Sequence, residues 1–202
     1  MTLTGRLDKP DHWSHKELMI PDMAPDLVRL AQAADYAARQ HIAQRRKGPR
    51  AEPYINHLTE VAALLAEATD GNDVVLLMGA LLHDTLEDTD ATYEDLVQRF
   101  GADVAALVAE VTDDKSLPKE ERKRLQIDKT AGKSRRAKLL KIADKTSNLR
   151  GLVDSPPAGW TEARLRDYVV WAAAVVRSCR GLNARLDAAF DAAHREASRH
   201  YS

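Results

Sequence analysis

His83 and Asp84 are followed one helical turn later by Glu87 and Asp88, so an imidazole and three carboxylates crowd into a short stretch. They close the run Val74-Val75-Leu76-Leu77-Met78-Gly79-Ala80-Leu81-Leu82, which is apolar nearly all round and therefore reads as a buried helix rather than an amphipathic one. Acidic groups at the end of a buried helix are unfavourable unless something positive satisfies them, and a divalent metal would do so. Two further residues suit the same chemistry. His57 closes the Pro-containing segment Pro53-Tyr54-Ile55-Asn56-His57, read here as a turn. Asp144 interrupts the apolar and basic segment Leu139-Leu140-Lys141-Ile142-Ala143-Asp144-Lys145, with Asn148 on its face four residues on. Two imidazoles and two carboxylates fit one first-row divalent ion with open water positions. Mixed nitrogen and oxygen ligation favours manganese or iron, with zinc as an alternative.

The elements that must position these residues read as helices throughout. Residues 1–24 show no clear period and are taken as an N-terminal extension; one folded domain is expected over 25–198. From Pro25-Asp26 the residues Leu27, Leu30, Ala31, Ala34 and Ala38 share one face, in a helix expected to run into Gln44-Arg45-Arg46-Lys47 and break at Gly48-Pro49. A second helix carries Leu58, Val61, Ala62 and Leu65 and ends at Asp70-Gly71. Beyond the acidic stretch, Thr92-Tyr93-Glu94-Asp95 reads as a helix start and Phe100-Gly101 as its stop. Helices are then expected around Val104 to Val111, from Pro118, over roughly Arg135 to Arg150, from Thr161 to about Cys179, and around Leu182 to Ala193. With no sustained period-2 alternation and no repeat, the fold class is all-α.

Composition bounds the function. A chain of 202 residues with 44% apolar and 30% charged residues is ordinary for a soluble domain. A formal net charge of −1 argues against a general nucleic-acid binder. The single Cys179 rules out an internal disulfide framework and suits a reducing cytoplasm, where it reads as a small buried hydrophobe. No signal-peptide core and no membrane-length apolar run is present. The charge is nevertheless polarised: Asp84 to Asp114 holds ten acids and one base, and Lys115 to Arg150 holds thirteen bases and four acids. The first block suits a cation and the second a polyanion such as a pyrophosphate, or the two are solvated faces that pair with each other. His41 reads as a packed or exposed helix residue. His12, His15, His194 and His200 near the termini carry no expected role. Trp160, Tyr168 and Trp171 are expected to pack the last helices, with Tyr168 also a candidate ligand contact.

The order Tyr-Ile-Asn-His, Leu-Leu-His-Asp-Thr-Leu-Glu-Asp-Thr and Ala-Asp-Lys-x-x-Asn-Leu-Arg resembles the HD superfamily of metal-dependent phosphohydrolases. Arg45-Arg46-Lys47, Phe100-Gly101-Ala102, the run from Val111 to Lys119, Arg122-Lys123-Arg124-Leu125-Gln126 and Gly159-Trp160 narrow it to one branch. That branch is the small alarmone hydrolase, the stand-alone hydrolase domain of the RelA/SpoT family in its metazoan-SpoT-like form. The resemblance covers about residues 30 to 190. It departs at Leu58, where the family commonly has Pro after the His, and in the loop Gly48-Pro49-Arg50-Ala51-Glu52. It implies an HD-domain helical bundle with His57, His83, Asp84 and Asp144 as ligands of one divalent ion, Mn2+ for preference, and Glu87 and Asp88 as the pair that activates water. It also implies Arg46, Lys47 and Asn148 as nucleoside contacts, the arginine stacking on the guanine base. Lys119, Arg164 and Tyr168 would meet phosphate or sugar.

The activity so implied is hydrolysis of the 3′-pyrophosphate of (p)ppGpp to GDP or GTP by a cytoplasmic enzyme, with a small nucleotide as partner, no nucleic acid, no membrane, and a homodimer allowed. Two alternatives keep part of this picture. One is a phosphatase for another 2′- or 3′-phosphorylated nucleotide such as NADPH. The other is a non-catalytic nucleotide-binding regulator, which the filled ligand positions and the Glu87-Asp88 pair oppose.

Overall fold

Helix α3 (Val74–Leu82) is buried without interruption from Leu76 to Leu82, and four other helices pack on it. The computed structural model describes residues 26–202; the extension read at residues 1–24 lies outside the described residues, as do His12 and His15. In chain order the helices around α3 are α1 (Asp26–Gln40), α2 (Ile55–Thr69), α4 (Thr85–Asp88), α5 (Tyr93–Phe100) and α6 (Ala102–Val111). These are followed by α7 (Lys119–Thr130), α8 (Arg135–Asp154), α9 (Glu162–Val176) and α10 (Ala184–His200), with a 3-10 turn at Arg177–Cys179. The one bridge pairing among the described residues joins Arg45 to Pro53, so the fold is all-α.

The hydrophobic run explains α3. Leu76, Leu77, Met78, Leu81 and Leu82 are all buried, each such side chain contributing ~1.5–3 kcal/mol relative to exposure. Asp73 starts the helix by accepting a hydrogen bond from the Leu76 amide at 3.0 Å, and Arg136 of α8 holds the same carboxylate at 2.9 Å. On its far side α3 meets α6 at Gly79, where a Cβ would stand 2.5 Å from Leu107 Cδ2. Any side chain there would force Leu107 to shift, so glycine suits the close helix approach.

Helices α2 and α3 serve two apolar clusters at once. Leu58, Met78 and Leu82 pack with Leu96 and Phe100 on the α5–α6 side. Val61, Leu65 and Leu76 pack with Leu139, Leu140, Leu149 and Phe190 on the α8–α10 side. The twenty-residue α8 is apolar on one side and buries Lys141, Asp144, Lys145, Thr146 and Ser147 on the other. That buried polar stripe faces the ends of α2 and α3, and it is where the site lies. No helix among the described residues is long and apolar enough to cross a membrane.

Several sequence expectations need correction. Helix α1 stops at Gln40 rather than running into Lys47, because Tyr54 N donates to Gln44 O at 3.1 Å and Arg46 N to Glu52 O at 2.9 Å. Residues 44–54 thus form a small hairpin loop with Gly48 at its crowded turn: a Cβ on Gly48 would meet Ser155, just past the end of α8, within 2.2 Å. His57 does not close a turn but sits in the first turn of α2, its amide donating to Tyr54 O at 3.0 Å. A single-turn helix, α4, was not expected; it forms as Asp88 N donates to Asp84 O at 2.8 Å over the buried Thr85. Helix α8 continues past Arg150 to Asp154, carried by burial of Leu152, whose carbonyl accepts from the Tyr201 hydroxyl. Helix α9 gives way to the 3-10 turn before Cys179, which is buried.

Candidate metal centre and nucleotide site

Three helices deliver the candidate ligands. His57 comes from the first turn of α2, His83 and Asp84 from the junction of α3 with α4, and Asp144 from the middle of α8. One donor atom each of His57, His83 and Asp144 lies within 4.8 Å of the others. His57 Nε2 is 3.4 Å from Asp144 Oδ1 and 3.8 Å from Asp84 Oδ2. His83 Nε2 is 3.2 Å from Asp84 Oδ2 and 3.9 Å from Asp144 Oδ1. The exposures of His57, His83 and Asp144 are only 3%, 5% and 7%, so little solvent reaches to screen these charges.

Hydrogen bonds on the far side of each imidazole say which nitrogen is available. His83 Nδ1 lies 2.8 Å from the Ala80 carbonyl, an acceptor only, so Nδ1 carries the proton and donates it. Ser147 Oγ donates to Glu60 Oε2 at 2.6 Å, so it accepts from His57 Nδ1 at 2.8 Å. Both Nε2 atoms therefore face the two carboxylates, and His83 Nε2 is buried with no hydrogen-bond partner. Imidazole nitrogens and anions facing one another across 3–4 Å repel unless a proton or a metal cation lies among them. This donor set fits a divalent ion.

The electrostatics agree. Burial lowers the pKa of His57. Burial also disfavours a proton on His83, but Asp84 and Asp144 outweigh it and raise its pKa to about 9. Although burial opposes ionisation of Asp84 and Asp144, the imidazoles hold Asp84, and chiefly Lys145 holds Asp144, below the ordinary carboxylate range. Tyr54 donates to Asp84 Oδ2 at 2.6 Å and Lys145 to Asp144 Oδ2 at 2.8 Å. Asn148 Nδ2 donates to Asp144 Oδ1 at 2.5 Å, while its Oδ1 accepts from the Arg46 guanidinium at 3.3 Å.

Glu87 and Asp88 ride on the single turn of α4, immediately beyond the ligands. Glu87 Oε2 accepts from the Asp113 amide at 3.2 Å, with Arg122 at 3.6 Å from Oε1, and burial raises its pKa. Asp88 is held by Gln44 at 3.0 Å and by the Lys115 ammonium.

Two adjoining cavities open from this centre. One, of about 550 Å³, is lined by His83, Asp84, Glu87 and Asp144 and by a ring of cations that includes Lys119, Arg122, Lys123 and Arg164. The other, of about 310 Å³, is lined by Arg46, Gly48, Tyr54, Arg150, Ser155 and Pro157. Lys47, His57, Asp88, Asn148 and Tyr168 border both. Every residue expected from the sequence to hold the ion, activate water or contact the nucleotide therefore lines one cavity or the other. Arg46 lies 5.9 Å over the Tyr54 ring and Arg164 lies 4.1 Å over Trp160. Burial pushes the Tyr168 hydroxyl up to about 12.

Other residues at the site drew no attention in the sequence. Glu60 of α2 and Ser147 and Lys145 of α8 steady the ligands; the latter two lie on a buried polar face hidden within a segment that reads as apolar and basic. Trp171 was expected only to pack, yet it lines the larger cavity beneath two lysines. His41 is a packed histidine, stacked on Tyr54 with ring centroids 5.2 Å apart.

Residues 33–174 match the family model described as HD domain. Over 167 residues, 83% of this chain and 93% of the relative, the chain is 50% identical to guanosine-3′,5′-bis(diphosphate) 3′-pyrophosphohydrolase MESH1 of Homo sapiens. It is 41% identical over 132 residues to the bifunctional (p)ppGpp synthase/hydrolase SpoT of Escherichia coli K12, matching 18% of that longer protein. The solved structure of a metazoan orthologue of SpoT that hydrolyses ppGpp superposes with a TM-score of 0.80 at 50% identity, covering 83% of this chain and 94% of that one.

Proposed function

Because the chain belongs to the HD-domain family, in its stand-alone SpoT-type branch, we propose that it is a metal-dependent 3′-pyrophosphohydrolase of (p)ppGpp. The products are pyrophosphate and GDP or GTP. The observation that carries this reading is the juxtaposition of the His57, His83, Asp84 and Asp144 donors with a large cation-lined cavity.

His57, His83, Asp84 and Asp144 would hold the ion, and manganese suits two imidazoles and two carboxylates. When bound, such an ion supplies Lewis acidity, which acidifies water and draws charge from phosphoryl oxygens. Glu87, whose pKa burial raises, takes the proton of the attacking water. Asp88 is bound to Gln44 and Lys115 and positions that turn. Lys119 and Arg164 neutralise charge gathering on the phosphoryl oxygens. Arg46, with Lys47 and Asn148 beside it, receives the nucleoside in the smaller cavity, and Tyr168 stands at the boundary where the ribose must pass. The water oxygen bonds to the proximal phosphorus, the bond to ribose O3′ breaks, and O3′ takes up a proton. The P–O–P linkage survives.

A soluble cytoplasmic enzyme acting on a small nucleotide is consistent with the single buried cysteine and the near-neutral net charge. The deciding experiment is product analysis on ppGpp with and without added Mn2+. GDP and pyrophosphate appearing only with metal is the expected result; ppGpp bound but left intact, or a strong preference for NADPH, overturns it.

A further inference from the structure

Trp171 of α9 holds two ammonium groups against one indole. Lys145 Nζ lies 4.6 Å and Lys123 Nζ 5.5 Å from the ring centroid. The indole Nε1 donates to the Lys123 carbonyl at 3.1 Å, which ties α9 to α7 and fixes the ring relative to the Lys123 backbone. Both lysines and the indole line the larger cavity.

The two cations differ in one respect. Lys145 is neutralised by Asp144 at 2.8 Å and so serves to hold that ligand in place. Among the described residues, Lys123 has no carboxylate within 4.0 Å, nor do its cavity neighbours Lys119 and Arg164. Burial lowers the pKa of Lys119, and Arg164 and Lys123 lower it further. Like charges gathered on cavity walls without counter-ions are held against their mutual repulsion, and a polyanion relieves it. The tryptophan removes rotamer freedom from Lys123 before any anion arrives, so less entropy is lost on binding.

Resting on the pyrophosphohydrolase reading above, we propose that Lys123, seated on Trp171, contacts the distal phosphoryl of the 3′-diphosphate. It thereby selects a diphosphate over a monophosphate at that position and retains inorganic pyrophosphate as a tight product. Hydrolysis at the ribose O3′–phosphorus bond leaves the two phosphoryl groups joined. A subsite built for the distal group is therefore filled by product as well as by substrate. Trp171 acts through Lys123 and is a positioning residue.

The test uses the full chain loaded with Mn2+ and freed of excess ion, with inorganic pyrophosphate and orthophosphate titrated calorimetrically. Lys123→Met should weaken pyrophosphate binding about tenfold while orthophosphate changes less than about twofold, as for loss of one charged hydrogen bond. Lys123→Arg should restore most of the pyrophosphate affinity, and Trp171→Leu should reproduce part of the loss. In turnover, the Met variant should lose preference for ppGpp over guanosine 5′-diphosphate 3′-monophosphate. Equal losses for the two anions, or none for either, overturn the subsite. Because anion binding is read without turnover, an inactive unaltered chain would instead overturn the hydrolase reading.

Discussion

Ser147 Oγ lies 2.8 Å from His57 Nδ1, joining residues 90 positions apart in the chain. The hydroxyl donates its own hydrogen bond to Glu60 Oε2 at 2.6 Å, and Arg150 holds Glu60 Oε1 at 3.0 Å. This relay sets the tautomer of His57 and aims its Nε2 lone pair at the two aspartates.

Replacing Ser147 by Ala should therefore loosen the metal without removing a ligand. Loss of such an outer hydrogen bond typically weakens metal affinity ~10–100-fold. Competition against a chelator of known affinity would measure it, and an unchanged affinity would show that the relay does not orient His57.

Asp84→Ala and Glu87→Gln should separate holding the ion from using it. The first removes a carboxylate 3.2 Å from His83 Nε2 and should abolish stoichiometric Mn2+ binding. The second should keep the metal and lower turnover ~10²–10⁴-fold, the usual worth of a positioned base. Metal content by mass spectrometry beside steady-state rates checks both. Equal metal loss in the two variants would contradict the division.

Metal affinity should depend on pH with a definite sign. In the metal-free chain the His83 pKa is raised to about 9, so at neutral pH a proton occupies the position a cation would take. Binding must expel it, and affinity should rise about tenfold per pH unit until pH approaches the His83 pKa. Calorimetry at pH 7 in buffers of different ionisation enthalpy should report release of about one proton per ion. Binding without proton release would disprove this coupling.

Gly79→Val tests the closeness of α3 and α6. A Cβ at this position meets Leu107 Cδ2 at 2.5 Å, and such overpacking costs ~1–3 kcal/mol. Urea denaturation should show the midpoint falling at constant slope. A variant as stable as the parent would mean that the helices part at no cost.

The all-α class was legible because hydrophobic periodicity and turn chemistry are local. The unbroken burial of α3 and the capping box of α5, where Thr92 and Asp95 bond each other's backbone, follow from short stretches of chain. The hairpin at residues 44–54 was not legible. Gln44 to Lys47 continues a helical pattern, and only pairing with residues 52–54 under the packed His41 and Tyr54 rings overrides it. The burial of Lys145 is hidden in the sequence for a related reason: its charge suits a solvated face equally well, and only Asp144 and Trp171, brought close by the fold, make its burial tolerable.

What the sequence determined alone was the inventory: which imidazoles, carboxylates and cations exist, on which helices, and in an order resembling one hydrolase branch. Side-chain chemistry and periodicity are properties of the chain itself, so they survive without coordinates. Tertiary packing decided which nitrogen of each histidine faces inward, which lysines have a counter-ion, and that an indole carries Lys123 toward the cavity. Those outcomes depend on distances between helices far apart in the chain, and small displacements there decide whether a buried charge is paired or left to a ligand.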